Sequence, residues 1–416
     1  MTEGALDPTT FEPARLATLG DPYPIYRSLH ATGRPAIRTV SGIPCVIGYA
    51  AADAVMRDSN FRSGPIAERF HRLLPTGPAR DELSHRVNFL DGQDHTRVRG
   101  LVQRAFTPAR VRDLRPFVES KAEELLDAAG KERTRNAIID VRASFAHPLP
   151  SLVISEMLGV PLADRDRLTE WSEAVTPLLG VEIPEGKIDR ALDASRDFAA
   201  YAAGLLEDRR RHPGNDLLTA MVEVTDGQER LSREELLSLV VTLYSAGHRT
   251  TRDLFCNGLL SLLRHPEQYA AIVADSSLVP GAINEFLRFE TPTQYVARVP
   301  VMNLEIAGIS VAALTPTLIL LAAANRDPAH FSEPDRFDIR RAEGASLSFA
   351  SGPHHCLGAA LARMESEVML SAITRRWPHL AIAEPAPRWW SSGPFRGVDQ
   401  LCVQLFSLGN QSQALR

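Results

Sequence analysis

The chain is short of lysine, of cysteine and of long apolar runs, and each shortage argues against a class of protein. Lysine occurs only at Lys121, Lys131 and Lys187, so arginine supplies nearly all of the 46 basic residues. These are outnumbered by 51 acidic residues, and a net charge of −5 argues against nucleic acid as the main partner. No run of about 18 apolar residues exists, so no segment is expected to span a membrane. The opening Met-Thr-Glu-Gly has neither the basic nor the apolar region of a signal peptide, and a cytoplasmic location is expected. The four cysteines (Cys45, Cys256, Cys356 and Cys402) are scattered without CxxC spacing. That fits a reducing compartment better than a disulfide framework or a zinc site. Repeats, low-complexity tracts and Gly/Ser linkers are also missing, so nothing in the composition divides the chain.

What is present points to one large, mainly helical unit, long enough to bury a bulky cofactor. Residues 22–60 alternate a helical stretch, Pro22 to His30, with short β-like runs such as Pro44 to Gly48. Residues 61–94, rich in Pro, Gly and charge, read as a long irregular segment. Helical periodicity dominates from about 95 to 290, broken at Pro148, Pro150, Pro161, Pro184 and Pro213. Residues 292–320 turn β-like, and the end from about 377 mixes Pro and Trp with short strands. The expected fold is therefore mainly α with small β-sheets, in a single domain over residues 1–416 whose smaller β-rich part draws on 30–60, 292–320 and 377–410.

One helix stands out. Ser232 to Glu235 has the Ser-x-x-Glu spacing of a capping box, and helical character then runs without proline to His265. Its middle is apolar on most faces, which predicts a helix crossing the interior. Inside it lies a small, polar, poorly helix-forming patch, Ala246-Gly247-His248-Arg249-Thr250-Thr251. Gly247 there either allows a close helix crossing or belongs to a site.

The sharpest segment is Phe349-Ala350-Ser351-Gly352-Pro353-His354-His355-Cys356-Leu357-Gly358, leading into the strong helix former Ala359 to Glu365. A cysteine at a helix start sees unsatisfied N–H groups and the positive end of the dipole, which lower its pKa. Gly352 and Gly358 permit close folding of the backbone around sulfur and close approach of a flat group. A buried structural cysteine and a Cys/His nucleophile pair with His354 or His355 are the alternatives.

Phe-x-x-Gly-x-His-x-Cys-x-Gly resembles the haem-binding loop of cytochromes P450. The resemblance covers almost the whole chain and implies the cytochrome P450 fold, with haem b between the long central helix and the cysteine-loop helix, and Cys356 as axial ligand to the iron. Phe349 and Gly358 belong to that loop, and Ala350 stands where the family commonly has glycine. Glu285-Phe286-Leu287-Arg288 is similar to the family's Glu-x-x-Arg, and Phe337-Asp338-Ile339-Arg340 suggests Arg340 as the third member of that group. The resemblance assigns the haem propionates to His95, Arg99, Arg298 and His354. Ala246 and Gly247 fall in the family's oxygen-activation groove, with Thr250 and Thr251 as its threonines. Arg249 occupies the place where most members carry an acid. It either points into solvent or a salt bridge, reaches toward substrate, or marks a different proton route.

The same resemblance implies a monooxygenase acting on a small organic molecule, with electrons from a ferredoxin and its NAD(P)H-dependent reductase, working as a monomer in secondary-metabolite biosynthesis. Six arginines at 97, 99, 104, 110, 112 and 115 against aspartates at 91, 94 and 113 form a basic patch suited to an acidic ferredoxin. The substrate pocket is expected from the 61–94 segment, the helices near 165–205, Val241–Thr251, and Thr291–Val296 with Ser391–Phe395. Oxidative coupling without oxygen insertion and a non-catalytic haem sensor are the competing functions.

Overall fold

The computed structural model describes residues 11–13, 20–132, 137–180, 186–225 and 231–406; the break expected at Pro184 lies outside them. Helix α1 (Tyr23–His30), strands β1 (Ala36–Arg38) and β2 (Pro44–Val46), helix α2 (Tyr49–Arg57) and strand β3 (Phe61–Arg62) come first. The next segment departs from expectation. Residues 61–94 are mostly helical, with α3 (Gly64–Leu73), α4 (Pro78–Ser84) and a 3₁₀ turn at Val87–Phe89. Two side-chain features that composition conceals hold this segment. Glu82 and Arg86 form a buried bidentate pair (2.7 and 2.9 Å), and Ser238 of the long helix donates to the Glu82 carbonyl. Ala67 and Phe70 of α3 and Leu83 of α4 join a separate apolar cluster with Leu178 and Ala191.

Helices α5 (Gly92–Ala105) and α6 (Pro108–Glu132), strand β4 (Ile138–Asp140), and helices α7 (Pro148–Leu158), α8 (Arg165–Val175), α9 (Ile188–Arg211) and α10 (Leu217–Thr225) build the helical part. Proline punctuates it largely as the sequence suggests, although Pro150, expected as a break, lies in the first turn of α7. Pro108 and Pro148 open helices, where a missing N–H costs nothing, and Pro161 and Pro213 lie just beyond α7 and α9.

Helix α11 (Arg233–Leu263) is the axis of the molecule: 31 residues, about 46 Å long. The capping box is formed in full, with Glu235 N–H donating to Ser232 Oγ (3.1 Å) and Ser232 N–H to Glu235 Oε2 (2.7 Å). Beyond Thr250 the helix is buried on every face to Leu263, and α7, α9, α13 and α15 all pack on it. It crosses α13 closely at Gly258. A Cβ there would lie 2.0 Å from Phe286 Cδ2.

The rest of the chain supplies α12 (Pro266–Ala274), α13 (Val279–Phe289), β5 (Val296–Pro300), β6 (Leu304–Ile306), β7 (Ile309–Val311), β8 (Thr317–Ile319), α14 (Leu321–Ala324), α15 (Ala359–Arg376), β9 (Leu380–Ile382), β10 (Trp389–Ser392), β11 (Phe395–Val398) and β12 (Cys402–Leu405). The largest sheet has the order β1-β2-β8-β5-β3, parallel only between β2 and β8. A second, β4-β12-β9, joins the helical part to the end of the described chain, and β6–β7 and β10–β11 are hairpins. No described helix is long and apolar enough to cross a membrane.

The Glu-x-x-Arg group is buried, with one correction. Arg288 donates twice to Glu285 (2.7 Å each), and the third member is Arg341, with Nε 3.5 Å from Glu285 Oε2. Arg340, expected in that role, is exposed. The register slips because Asp338 uses its backbone N–H to bond Glu285 (2.8 Å) and its carboxylate to hold the N–H of Arg340. The turn so formed carries Arg341 inward.

Candidate active site

The cysteine loop is closed by its own backbone. Cys356 N–H donates to Phe349 O (2.9 Å) and His355 N–H to Gly352 O (3.0 Å). Gly352 is required twice over: its φ is +69°, and a Cβ would meet Met56 O of α2 at 2.4 Å. Ala350 also sits in the left-handed region, at φ 56°. The alanine that replaces a glycine therefore carries strain of about 1 kcal/mol. The Phe349 ring packs under the Arg363 guanidinium, 4.7 Å from its centroid. Gly358 caps α15 and has nothing within 4 Å of the position a Cβ would occupy, so space is open there.

Cys356 is exposed, whereas Cys45, Cys256 and Cys402 are buried. Its side chain opens on a cleft of about 750 Å³ and is hemmed in by protein elsewhere. That loss of water raises the thiol pKa, against the pull of the Gly358 N–H and the charges of Arg99 and Arg363. The lowering expected from a helix start is thus present but outweighed. The reason is burial of the sulfur, although α15 begins at Ala359, only three residues beyond it. A bound metal ion would deprotonate a coordinating thiol outright.

Four cation-forming side chains converge beside this loop. His95 and His354 pack with ring centroids 4.2 Å apart and planes tilted by 40°, and Arg99 Nη2 donates to His355 O (2.6 Å). Arg298, buried on β5, donates only to its neighbour Ala297 O (2.8 Å). Among the described residues the carboxylate beside them is Asp91, 3.7 Å from His354 Nε2 and already accepting from the N–H groups of Ser63 and Gly64. Burial, with His354 and Arg99 adding to it, pushes His95 down to about 4, and burial lowers Arg298 to about 10. His95 Nε2 is buried without a partner. A lone buried guanidinium and an orphaned imidazole nitrogen are costly unless an anion completes them. The two propionates of haem are a fitting complement, and an exposed thiol beside open space at Gly358 fits the iron and the macrocycle.

On α11, Ala246 is exposed, and Thr250, one turn later, donates from Oγ1 to Ala246 O (2.9 Å). That bond uses the hydroxyl proton and leaves the Thr250 oxygen free to accept. Thr251 repeats the bond to Gly247 O (3.2 Å) but is buried. Gly247 itself is explained by packing, since a Cβ there would lie 2.9 Å from Ile154 Cδ1 of α7. His248 is buried, bonded through Nδ1 to Tyr244 O (2.9 Å).

Arg249 does not point into solvent; it is 8% exposed. Its guanidinium lies 4.4 Å from the Trp390 ring centroid and 5.4 Å from that of Phe395. Around it stands a charged cluster that the sequence reading missed. Arg252 donates to both oxygens of Asp253 (2.8 and 3.3 Å) and to Glu173 of α8 (2.7 Å), with His147 at 3.2 Å. The available signal was an adjacent Arg-Asp pair inside an otherwise apolar helix. Arg363, seven residues after the cysteine, was missed likewise.

A family model described as cytochrome P450 matches residues 45–279 and 273–384. The cytochrome P450 monooxygenase PikC of Streptomyces venezuelae is 38% identical over 392 residues, covering 92% of this chain and 91% of its own. The 6-deoxyerythronolide B hydroxylase of Saccharopolyspora erythraea is 36% identical over 371 residues, 86% of this chain and 89% of its own. Among solved structures, P450BioI in complex with an acyl carrier protein ligated to hexadec-9Z-enoic acid superposes with a TM-score of 0.85 at 32% identity, covering 93% and 98%.

Proposed function

Since the chain belongs to the cytochrome P450 family, we propose that it is a bacterial, cytoplasmic, monomeric monooxygenase that tailors a secondary metabolite, with Cys356 as the axial thiolate. The observation that carries this reading is the exposed Cys356 beside four cation-forming side chains served, among the described residues, by Asp91. When bound, haem b supplies reductive activation of molecular oxygen, for which a thiolate ligand is suited. Net, one substrate C–H becomes C–OH and the second oxygen atom leaves as water, consuming two electrons and two protons.

His95, Arg99, Arg298 and His354 would hold the propionates and so fix the cofactor's rotation. The Thr250 oxygen, its proton committed to Ala246 O, accepts a hydrogen bond in the groove and orients a proton donor there. Arg249, a buried cation, cannot relay a proton as a carboxylate does. Electrons would arrive from a ferredoxin and its NAD(P)H-dependent reductase at the cleft lined by Arg112, Arg115, Arg363 and Cys356. PikC and the 6-deoxyerythronolide B hydroxylase support a secondary-metabolite role by their names.

The test is spectroscopic and chemical. Reduced protein with carbon monoxide should show the red-shifted Soret band of thiolate ligation, and Cys356→Ala should lose it. A retained band in that variant overturns the assignment. Product masses then decide the reaction: a gain of one oxygen atom is hydroxylation, and a loss of two hydrogens is coupling.

A further inference from the structure

Among the described residues, Arg249 and Arg298 are buried guanidiniums with no hydrogen bond to a carboxylate. The propionates of the cofactor account for Arg298. They do not account for Arg249. The charges that act on Arg298 and its companions are those of Asp91, His95, His354 and Arg99, whereas Arg249 feels Asp253, Arg252, Glu173 and Arg142. The two sets share no member.

Arg249 makes no hydrogen bond to any described residue, and its Nε is sealed from solvent without a partner. The nearest carboxylate, Asp253, stands 3.9 Å from Nε, beyond hydrogen-bond reach. It is also already spent, because both of its oxygens accept from Arg252. Burial lowers Arg249 to about 10, which leaves it a cation at neutral pH. A cation in this state is incomplete, and aromatic faces offset only part of the loss of water.

Its surroundings show where the missing anion would come from. Phe395 is bridged to Thr293, and both belong to segments expected to line the substrate pocket; Arg249 itself lies in a third such segment. Two of these segments, those of Arg249 and Phe395, therefore meet at this guanidinium, one residue before Thr250. Trp390 and Phe395 are only half-buried, unlike the guanidinium they cover.

Deepening the monooxygenase reading above, on which it rests, we infer that Arg249 anchors a carboxylate of the substrate, held between Trp390 and Phe395. A guanidinium fork matches the two oxygens of a carboxylate, and the stacked position fixes the fork's plane. Neighbouring positions on a helix differ by about 100° and 1.5 Å. The anchored end thus sits beside the groove, and the carbon presented at Thr250 lies some bonds away from it. Arg249 in this role is a specificity-determining residue.

The experiment uses the haem-loaded protein and three probes, octanoate, myristate and 3-phenylpropanoate, each beside its methyl ester. Binding is read from the Soret shift and by calorimetry at neutral pH. At least one acid should bind about tenfold or more tightly than its ester. That preference should fall to near parity in Arg249→Gln and be reduced but retained in Arg249→Lys. Parity for all three pairs in the wild-type protein overturns the inference, as does a preference that survives in Arg249→Gln. If Arg249→Gln loads no haem, the wild-type ratios and Arg249→Lys decide alone, and an unreduced ratio in the lysine variant overturns the inference. Absence of the thiolate Soret band in the wild type would instead sink the enzyme reading, so the two failures are distinct.

Discussion

Arg340 and Arg341 are adjacent in sequence and opposite in consequence. Arg341 donates to Ser332 O (2.7 Å) and Arg336 O (3.0 Å) while facing Glu285. Arg341→Ala removes a charge facing the buried Glu285, which keeps Arg288, and takes a donor from the Ser332 and Arg336 carbonyls; it should cost about 1–3 kcal/mol. Arg340→Ala should stay within about 0.5 kcal/mol, the usual range for an exposed site. Urea unfolding of the two variants side by side checks this, and equal costs would refute the register seen here. His248 gives a second residue-scale expectation. Burial holds its pKa at about 3, far below the 6.5 of an exposed histidine. Above pH 6.5 both folded and unfolded forms are neutral and the site carries no penalty. As pH falls toward 3 the unfolded chain takes up a proton that the folded one refuses, so stability declines. The loss is about 1.4 kcal/mol per pH unit, or roughly 2 kcal/mol by pH 5. His248→Gln should flatten the fall in unfolding free energy between pH 7 and pH 5 by that amount relative to wild type. An unchanged slope would mean that His248 takes up a proton in the fold.

At the scale of elements, the crossing of α11 and α13 is set by Gly258. A methyl group there meets Phe286 Cδ2 at 2.0 Å, and neither helix has room to retreat from a core this closely packed. Gly258→Ala should cost about 1–3 kcal/mol or more and lower soluble yield. Adding Phe286→Leu should recover part of that loss, and a double variant no better than the single one would place the clash elsewhere. Elements are also where the sequence was most and least legible. The long helix was readable because its start is chemical (Ser232 and Glu235) and its interior is periodic. Strands β2, β5 and β6 and helix α1 were readable for similar local reasons. Residues 64–89 were not, because what makes them helical is a carboxylate–guanidinium pair and a hydroxyl reaching from α11, a partner 156 positions away. Within the site, Cys356, His95, Arg99, Arg298 and His354 were named through the family resemblance of their motifs, and the structure brings them together. Arg252, Asp253 and Glu173 escaped because only the fold brings α8 to α11. The same ignorance of neighbours left the direction of Arg249 open between solvent or a salt bridge and the substrate side, whereas aromatic rings from the far end of the chain cover it.

Taken whole, the molecule is acidic but unevenly so. The cleft beside Cys356 gathers Arg99, Arg112, Arg115 and Arg363, opposed there by Glu367. Some of this charge is engaged, since Arg115 pairs with Glu119 and Glu367 and Arg97 with Glu235 and Asp94. Arg112 is exposed and has no partner among the described residues, so it is the natural probe of the face. Arg112→Glu should raise the KM for an acidic ferredoxin about tenfold at low ionic strength, with the difference shrinking as salt screens it. The carbon monoxide spectrum should not change. A salt-independent effect, or none, would move electron entry to another surface.

Glu235 does more than close a helix end. The same carboxylate that receives the Ser232 N–H also grips Arg97 with both oxygens, and Arg97 shares α5 with His95 and Arg99. One carboxylate therefore ties the helix that would grasp the cofactor's acidic edge to the helix that carries Thr250. Between that tether and the hydroxyl lie fifteen helical steps, about 22 Å of rigid rod. The interval works as a gauge block. A residue added to or removed from it would leave the tether in place while swinging the hydroxyl by about 100° and displacing it by 1.5 Å. Loops elsewhere can lengthen or shorten with little effect, but this stretch can drift only in letters and never in count.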